Sequence, residues 1–320
     1  MSFLFRALAV LWLVLTGTAA HAQGYPSKPI TFVVPFGPGS GSDLIARIIG
    51  QRLSTVLGQG VIIENKPGAN GAIAAVQVAR SAPDGYTIFL ASNTPMSAAP
   101  SLNKSIAYDP IKDFQPLCRI GSFTQLLLVN PGIPAKSIAE LIAYAKANPG
   151  KLSFASANAS SIVAGETLKR AAGLDLLHVP YRSSPPAVQD VIGGRVSMLF
   201  TDMATGLPHH KSGALRGLAT TRLQRSSLVP DLPTLDEAGV KGFDMDSWAA
   251  FFLAANTPPD IVTRLNTELR KIIDDPEIKA QIAATGFEAF SSSTEELDSF
   301  VKVQLVKWTR MIKDAGIQPE

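Results

Sequence analysis

Residues 30–43 read ITFVVPFGPGSGSD, an apolar strand that leads through a turn rich in glycine and serine into a helix. The strand covers Ile30 to Val34, and the apolar spacing of an amphipathic helix begins near Asp43. A turn of small residues in this position leaves backbone N–H groups pointing outward at the positive end of the helix. It can hold an anion, for which a carboxylate is a natural candidate. Residues 156–161 predict a second such turn, and we expect the two turns to face each other.

Apolar, β-branched runs alternate with helical patterns along most of the chain, which predicts an α/β fold with parallel sheets covered by helices. The predicted strands are 30–35, 60–64, 87–91, 126–129, 152–155, 176–180, 196–200 and 250–254. The predicted helices are 44–57, 72–81, 138–147, 162–172, 187–192, 259–274 and 295–315. We expect the last of these helices to pack onto the first domain.

The N-terminus has the pattern of a secretory signal peptide. Arg6 supplies a positive charge, residues 8–15 form a short apolar run, and Ala20-His21-Ala22 is a small-residue cleavage site. We therefore expect residues 1–22 to be a signal peptide that is cleaved after Ala22, and the mature protein to be exported to the periplasm.

The bulk properties of the chain narrow its class. One of its 29 basic residues lies in the predicted signal peptide, so 28 face 26 acidic residues and the net charge is +2. This balance, without a basic block, gives no case for binding nucleic acid. The single Cys118 cannot form an intramolecular disulfide. The roughly 300 mature residues predict about two domains.

We expect the chain to cross between the two domains twice. The predicted first domain combines residues 23–122 with residues 243–320, and the predicted second domain covers residues 123–242. A cleft between domains of this kind is the usual place for a small ligand. We expect the protein to be a monomer.

Motifs for catalysis are missing from this sequence. The turn after Val34 lacks the Gly-Lys-Ser/Thr of a P-loop, the Gly-x-Gly-x-x-Gly of dinucleotide sites and the Gly-x-Ser-x-Gly of a hydrolase. His178, His209 and His210 are the histidines of the mature chain, and their spacing favours ordinary surface or hydrogen-bonded roles. We therefore expect no enzyme activity, no metal site and no cofactor.

The order and spacing of many short motifs resemble one known family. These motifs are YPSKPI at 25–30, VPF at 34–36 with the glycine turn and Asp43, ENKPGANG at 64–71, PDGYT at 83–87, HVPY at 178–181, GG at 193–194, DLPT at 231–234, Gly239 and PPDIV at 258–262. The chain resembles the periplasmic solute-binding proteins of the tripartite tricarboxylate transporter system, the Bug group. The resemblance covers nearly all of the mature chain.

The resemblance implies a two-domain periplasmic-binding-protein fold of the type II, or Venus flytrap, class with the ligand cleft between the domains. It also implies that the protein captures a small carboxylic acid by domain closure and delivers it to the membrane permease subunits of a tripartite transporter. Carried over onto this sequence, the ligand-binding residues are Phe36, Ser40, Gly41, Asp43, Ser92, Asn93, Ser156, Asn158, Ser160, Ser161, Tyr181 and Asp202.

Several assignments remain open at the level of the sequence. Asp43 is also well placed simply to favour the start of its helix, and Ser160 and Ser161 are also candidate N-caps, so we expect only one of these serines to contact solute. Arg182 either neutralises a second carboxylate or is an exposed arginine at a strand end. The ligand is an aromatic, amino, dicarboxylic or tricarboxylic acid. The alternatives to transport are an α/β hydrolase or isomerase on a transporter-like scaffold, and a sensor subunit for a membrane kinase.

Overall fold

The computed structural model describes residues 24–319 and contains two β-sheets flanked by helices. The predicted signal peptide, residues 1–22, lies outside the described residues. The α/β class predicted from the sequence is confirmed. None of the helices within residues 24–319 combines the length and the apolar character that a membrane span needs.

The first sheet has six strands in the order β11-β4-β10-β3-β1-β2. These strands are β1 (Ile30–Val34), β2 (Val61–Asn65), β3 (Thr87–Ser92), β4 (Phe114–Phe123), β10 (Ser247–Ala254) and β11 (Phe287–Ala289). Strands β1, β2 and β3 pair in parallel, whereas β10 runs antiparallel to both β3 and β4. Parallel strands need helical crossovers, so the first part of the chain is a set of β-α-β units.

The second sheet has five strands in the order β7-β6-β8-β5-β9. Its strands are β5 (Gln125–Val129), β6 (Leu152–Ser156), β7 (Leu176–Pro180), β8 (Met198–Asp202) and β9 (Arg216–Thr220). Strands β6, β7 and β8 are parallel, and β5 is antiparallel to its two neighbours β8 and β9. In each sheet the first parallel strand along the chain, β1 or β6, lies between the two parallel strands that follow it in sequence. One antiparallel strand, β10 or β5, lies beside the last of these three parallel strands, β3 or β8.

Ten α-helices lie within the described residues. They are α1 (Gly41–Leu57), α2 (Ala72–Ala79), α3 (Ala99–Leu102), α4 (Ile138–Ala147), α5 (Ala159–Ala172), α6 (Ser184–Ile192), α7 (Met203–Lys211), α8 (Pro259–Asp274), α9 (Pro276–Ala284) and α10 (Thr294–Asp314). Six of them begin on a side-chain cap: Ser40 for α1, Ser137 for α4, Asn158 for α5, Asp202 for α7, Asp275 for α9 and Ser293 for α10. A π-turn at Thr94–Ala98 leads into α3.

The chain passes between the sheets at two places. Strand β4 ends at Phe123 in the first sheet, and β5 begins at Gln125 in the second. The chain returns between β9 and β10, which begins at Ser247. We retain the proposed domains, residues 23–122 with 243–320 and residues 123–242. These boundaries leave every strand in the same domain as the rest of its sheet, apart from the last residue of β4, Phe123.

The last helix corrects one expectation from the sequence. Leu297 and Val301, in the first half of α10, belong to the apolar core around Phe89 in the first sheet. Trp308 and Ile312, in the second half, belong instead to the core of the second sheet. The helix was expected to pack onto the first domain, and its first half does so. It straddles both, because its apolar stripe is long enough to cover two separate hydrophobic cores.

Candidate functional site

The cleft between the two sheets lies at the carboxyl ends of their first parallel strands. Strand β1 leads into α1, and β6 leads into α5. Each of these strands is flanked by the next two parallel strands, which is the switch point where open α/β sheets bind ligands. Helices α6 and α7 also begin at the cleft, so four helix N-termini converge there. Their positive ends favour a negatively charged group.

The turn before α1 supplies part of its own hydrogen bonding. Ser40 caps the helix by accepting a hydrogen bond from the Asp43 N–H at 3.3 Å. The Asp43 carboxylate accepts hydrogen bonds from the Gly39 N–H at 2.9 Å, from Arg47 at 3.0 Å and from Asn65 at 3.0 Å. Asn65 also donates to the Phe36 carbonyl. This carboxylate therefore holds the turn together from within the first domain.

These contacts favour the role of Asp43 at the start of its helix over the predicted contact with solute. Its side chain is buried, and it lines neither of the cavities described below. Burial opposes its ionisation, but hydrogen bonds from Arg47, Gly39 and Asn65 outweigh that effect, and the pKa of Asp43 is lowered. Asp43 is thus an ionised residue that shapes the turn.

The turn before α5 is closed by a reciprocal pair of hydrogen bonds. The Asn158 side chain accepts from the Ser161 N–H at 2.9 Å, and the Ser161 hydroxyl accepts from the Asn158 N–H at 3.1 Å. The same hydroxyl accepts from the Ala157 N–H at 2.9 Å. Ser161 lines neither cavity. It is therefore a cap within the second domain, the alternative to contact with solute that the sequence left open.

Ser160 instead connects the two domains. Its hydroxyl accepts a hydrogen bond from the Asn93 side chain at 2.8 Å and lies 2.7 Å from the Ser247 hydroxyl. Two further bonds cross the cleft, from the Ala159 N–H to the Thr94 hydroxyl at 3.3 Å and from the Gly37 N–H to the Ser183 hydroxyl at 3.1 Å. Donors at the beginning of α5 and in the β1–α1 turn are thereby satisfied by the opposite domain.

An inner cavity lies beside these contacts, between the beginnings of α1, α5 and α7. Its volume is about 30 Å³, and because one water needs roughly 10–15 Å³ it has space for only two or three. Within residues 24–319, the side chains that line it include no Lys, Arg or His. The inner cavity is lined by Phe36, Ser40, Gly41, Ser42, Ile45, Ser92, Asn93, Thr94, Phe123, Asn158, Ser160, Ser184, Asp202, Met203, Ala204, Thr285 and Phe287.

Asp202 brings a carboxylate into this inner cavity. It caps α7 by accepting hydrogen bonds from the Thr205 N–H at 2.9 Å and from the Thr205 hydroxyl at 3.0 Å. Burial raises its pKa, although these hydrogen bonds act in the opposite direction. A Cβ placed on Gly41, in the facing domain, would lie 2.6 Å from Asp202 Oδ1. Only glycine at position 41 allows this approach of the domains.

An outer cavity of about 550 Å³ opens on the other side of Phe36 and Asn158. This volume is within the roughly 300–1,000 Å³ typical of small-molecule sites. Its lining comes from both domains and consists of Pro35, Phe36, Gly68, Ala69, Asn70, Gly71, Leu102, Asn103, Ser156, Ala157, Asn158, Ile162, Glu166, His178, Pro180, Tyr181, Arg182, Ile317 and Gln318.

The second-domain wall of the outer cavity is held by side-chain contacts. The Ser156 hydroxyl lies 2.6 Å from His178 Nε2, and the His178 ring stacks on Phe154 with 4.8 Å between the ring centroids. The Tyr181 hydroxyl donates to Asp190 at 2.6 Å. The pKa of Tyr181 is raised to about 12 by burial and by this carboxylate. Ser156 and Tyr181 thus present positioned polar groups to the cavity.

The first-domain wall includes a turn that sequence reasoning did not place in the site. Gly68, Ala69, Asn70 and Gly71 are four consecutive residues with positive φ, at 131°, 48°, 50° and 81°. Non-glycine residues seldom adopt this conformation, and such strain is concentrated at ligand sites. This turn is part of the ENKPGANG motif at residues 64–71. The residue types of the motif do not show that the turn faces the second domain.

Ten of the twelve predicted site residues divide between the two cavities. Ser40, Gly41, Ser92, Asn93, Ser160 and Asp202 line the inner cavity, Ser156 and Tyr181 line the outer cavity, and Phe36 and Asn158 line both. Among the described residues no group of three or more His, Cys, Asp or Glu side chains is arranged to hold a metal ion.

Comparison with known proteins gives consistent matches. The family model described as "Tripartite tricarboxylate transporter family receptor" (TctC) matches residues 45–317. A UPF0065 protein of Bordetella bronchiseptica is 37% identical over 314 residues, which cover 98% of this chain and 93% of that protein.

Solved structures agree in fold. The periplasmic binding protein BugD has a TM-score of 0.89 and 34% identity, covering 92% of this chain and 100% of BugD. A protein of R. palustris determined with adipate has a TM-score of 0.89 and 31% identity, with the same coverage. The predicted two-domain periplasmic-binding-protein fold is confirmed by these neighbours. The chain therefore belongs to the TctC family, the receptors of the tripartite tricarboxylate transporters.

Proposed function

We propose that this protein captures a small carboxylic acid in the outer cavity and delivers it to the membrane permease of a tripartite transporter. The observation that carries the proposal is the outer cavity itself, which has a volume of about 550 Å³ and walls from both domains. A solute bound there touches both domains at once, so its binding energy favours their closure.

The chemistry of the cleft favours an anionic solute. The beginnings of α1, α5, α6 and α7 meet at the inner cavity, and that of α5 also borders the outer cavity, so the helix ends provide a positive field without a buried basic side chain. Asn70, Asn158 and Tyr181 add polar groups at the outer cavity. A protein of the same fold, 31% identical to this chain, was determined with adipate. Phe36 supplies an apolar surface for the rest of the solute.

The contacts between the domains support closure as the mode of action. Ser160 joins Asn93 and Ser247 at 2.8 and 2.7 Å, and Gly37 is bonded to Ser183 across the cleft. These contacts join the domains beside the inner cavity, and the outer cavity takes its walls from both domains, so we infer that solute enters when the contacts are broken and is enclosed when they form. We also propose a periplasmic, monomeric mature protein that begins at Gln23.

The first experiment is to identify by mass spectrometry any small molecule retained by the purified mature protein. That molecule and a panel of aromatic, amino, dicarboxylic and tricarboxylic acids are then tested for a ligand-dependent rise in the melting temperature. We expect at least one carboxylate to raise it, and the amide of the same acid to have no effect. A panel without any shift would contradict the proposal.

One contact favours a second candidate function, that of a hydrolase. Ser156 and His178 are within hydrogen-bonding distance in the outer cavity, as a nucleophile and its base would be. However, the N–H groups that follow Ser156, those of Ala157 and Asn158, both donate to Ser161 and are not free to stabilise an oxyanion. Hydrolysis of nitrophenyl esters that is lost in Ser156→Ala would establish this alternative, whereas solute binding without turnover would exclude it.

A further inference from the structure

We propose that Arg182 binds a second carboxylate of the solute, so that this protein selects dicarboxylic acids over monocarboxylic acids of the same size. The inference rests on the proposed function and adds the class of solute. It starts from the position of Arg182 on the wall of the outer cavity, beside Tyr181 and Pro180.

The guanidinium of Arg182 has no partner among residues 24–319, in which it forms neither an ion pair nor a hydrogen bond. Other arginines near the cleft are committed to carboxylates. Arg47 is bonded to Asp43, and Arg195 lies 2.6 Å from Asp190. Arg182 is therefore the arginine on this wall that is free to bind an anion from solution.

The backbone around Arg182 is fixed, although its side chain is exposed. The Tyr181 N–H donates to the Ser156 carbonyl at 2.7 Å, and the Tyr181 hydroxyl is bonded to Asp190. On its other side, Ser183 accepts the interdomain hydrogen bond from Gly37. Arg182 thus lies between one residue anchored in the second domain and one bonded to the first, which holds it at the rim of the cleft when the domains are closed.

Among the charged groups around the outer cavity, Arg182 is the one that can bind a solute carboxylate. Glu166 also lines this cavity, but its charge is offset by Lys169 at 3.5 Å. His178 is engaged with Ser156. Arg182 is the one Lys or Arg side chain among the described lining residues. A guanidinium binds a carboxylate through two parallel hydrogen bonds, which a methyl group in the same place cannot replace.

The solute that fits these walls has two acidic ends. One carboxylate lies near the amide side chain of Asn158 at the beginning of α5, and the second reaches Arg182. A monocarboxylic acid of the same length would leave the guanidinium in water and lose that contact.

The test uses pairs of acids that differ only in the second carboxylate: succinate and butanoate, adipate and hexanoate, terephthalate and benzoate. Dissociation constants are measured by calorimetry for the wild-type protein, Arg182→Gln, Arg182→Lys and the control Arg80→Gln. Arg80 is an exposed arginine that lines neither cavity. We expect the wild-type protein to prefer the diacid of at least one pair by about 10-fold or more.

Arg182→Gln should lower affinity for that diacid by about 10- to 100-fold and leave affinity for the monoacid within about 2-fold. Arg182→Lys should restore part of the loss, and Arg80→Gln should change nothing. Equal losses for diacid and monoacid, or no loss for either, would overturn the role of Arg182 while the proposed function stands. A wild-type protein that binds neither member of any pair would overturn the selection of dicarboxylic acids, whereas the proposed function is overturned only if the wider panel of acids also gives no shift in melting temperature.

Discussion

At the scale of single residues, Gly41 decides how closely the domains approach. The atom that a side chain would add at this position lies 2.6 Å from Asp202 Oδ1 in the opposite domain. We expect Gly41→Ala to hold the domains apart and to reduce solute affinity by about 5- to 150-fold, because overpacking costs about 1–3 kcal/mol. Calorimetric titration with the acid identified by the melting-temperature screen measures this change.

Gly60→Ala is the matched control, since its added methyl group would have only Pro29 nearby, at 3.9 Å. The double variant Gly41→Ala/Asp202→Ala removes the clash and should recover part of the affinity. If Gly41→Ala alone binds as tightly as the wild-type protein, the domains do not close in this way.

Asp202 should make stability depend on pH. Burial raises its pKa in the folded protein above the usual value of 3.8, so its unfavourable charge appears as the pH rises through the folded-state pKa. Asp202→Asn keeps a cap for α7 but carries no charge. We expect the melting temperature of the variant to exceed that of the wild-type protein at pH 7.5, and the difference to shrink towards pH 4.

Thermal unfolding followed by circular dichroism at both pH values measures this difference. An Asp202→Asn protein that is less stable than the wild type at pH 7.5 would mean that the ionised carboxylate is stabilised in the cleft. In that case, the convergence of helix N-termini outweighs the cost of burial at this site.

At the scale of elements, α10 joins the two halves of the molecule. Its Trp308 is fully buried against the second-domain core, whereas Val306 on the same helix is 73% exposed. We expect Trp308→Ala to lower the free energy of unfolding by about 3–5 kcal/mol, and Val306→Ala to change it by less than about 0.5 kcal/mol. Urea denaturation of both variants, followed by circular dichroism, provides the comparison. Equal midpoints would show that the second half of α10 does not contribute to the core.

The sequence predicted best those elements whose apolar periodicity is regular from one end to the other. Helices Ile138–Ala147 and Pro259–Asp274 and strand Leu176–Pro180 have the predicted ends. Strand β4 was missed because Phe114–Phe123 contains a proline, an arginine and a glycine and has no regular alternation. Pro116 is tolerated there because the pairing of β4 with β10 shifts register next to it.

At the scale of the whole molecule, two adjacent serines have different roles. Ser160 bonds to Asn93 and Ser247 across the cleft, whereas Ser161 caps α5 within its own domain. We expect Ser160→Ala to reduce solute affinity by about 5- to 150-fold, because closure would then bury groups without partners at a cost of about 1–3 kcal/mol.

Ser161→Ala should instead lower the melting temperature and leave affinity within about 2-fold, because the cap is present in both the open and the closed arrangement. Calorimetry and thermal unfolding of the two variants separate these effects, and small-angle scattering at saturating solute should show a larger radius of gyration for Ser160→Ala only. If both variants lost affinity equally, the interdomain bonds of Ser160 would not control closure.

The two sheets repeat one strand order, which explains why two turns of similar composition face each other. The sequence indicated the turns at residues 35–43 and 156–161 but showed no repeat, because the shared order arises from strand pairing and not from matching residues. The same limit applies to Asp43: its residue type fits an anion site, and only its bonds to Gly39, Arg47 and Asn65 show that it serves the turn.

The sequence by itself determined the α/β class, the two strand-to-helix turns and the resemblance to one family, because each depends on short local patterns and on their order along the chain. Only the tertiary structure decided that Gly68 to Gly71 and Arg182 share a cavity, that Ser160 and not Ser161 reaches the other domain, and that α10 covers both cores. These features depend on contacts between residues far apart in the chain, which no local pattern encodes.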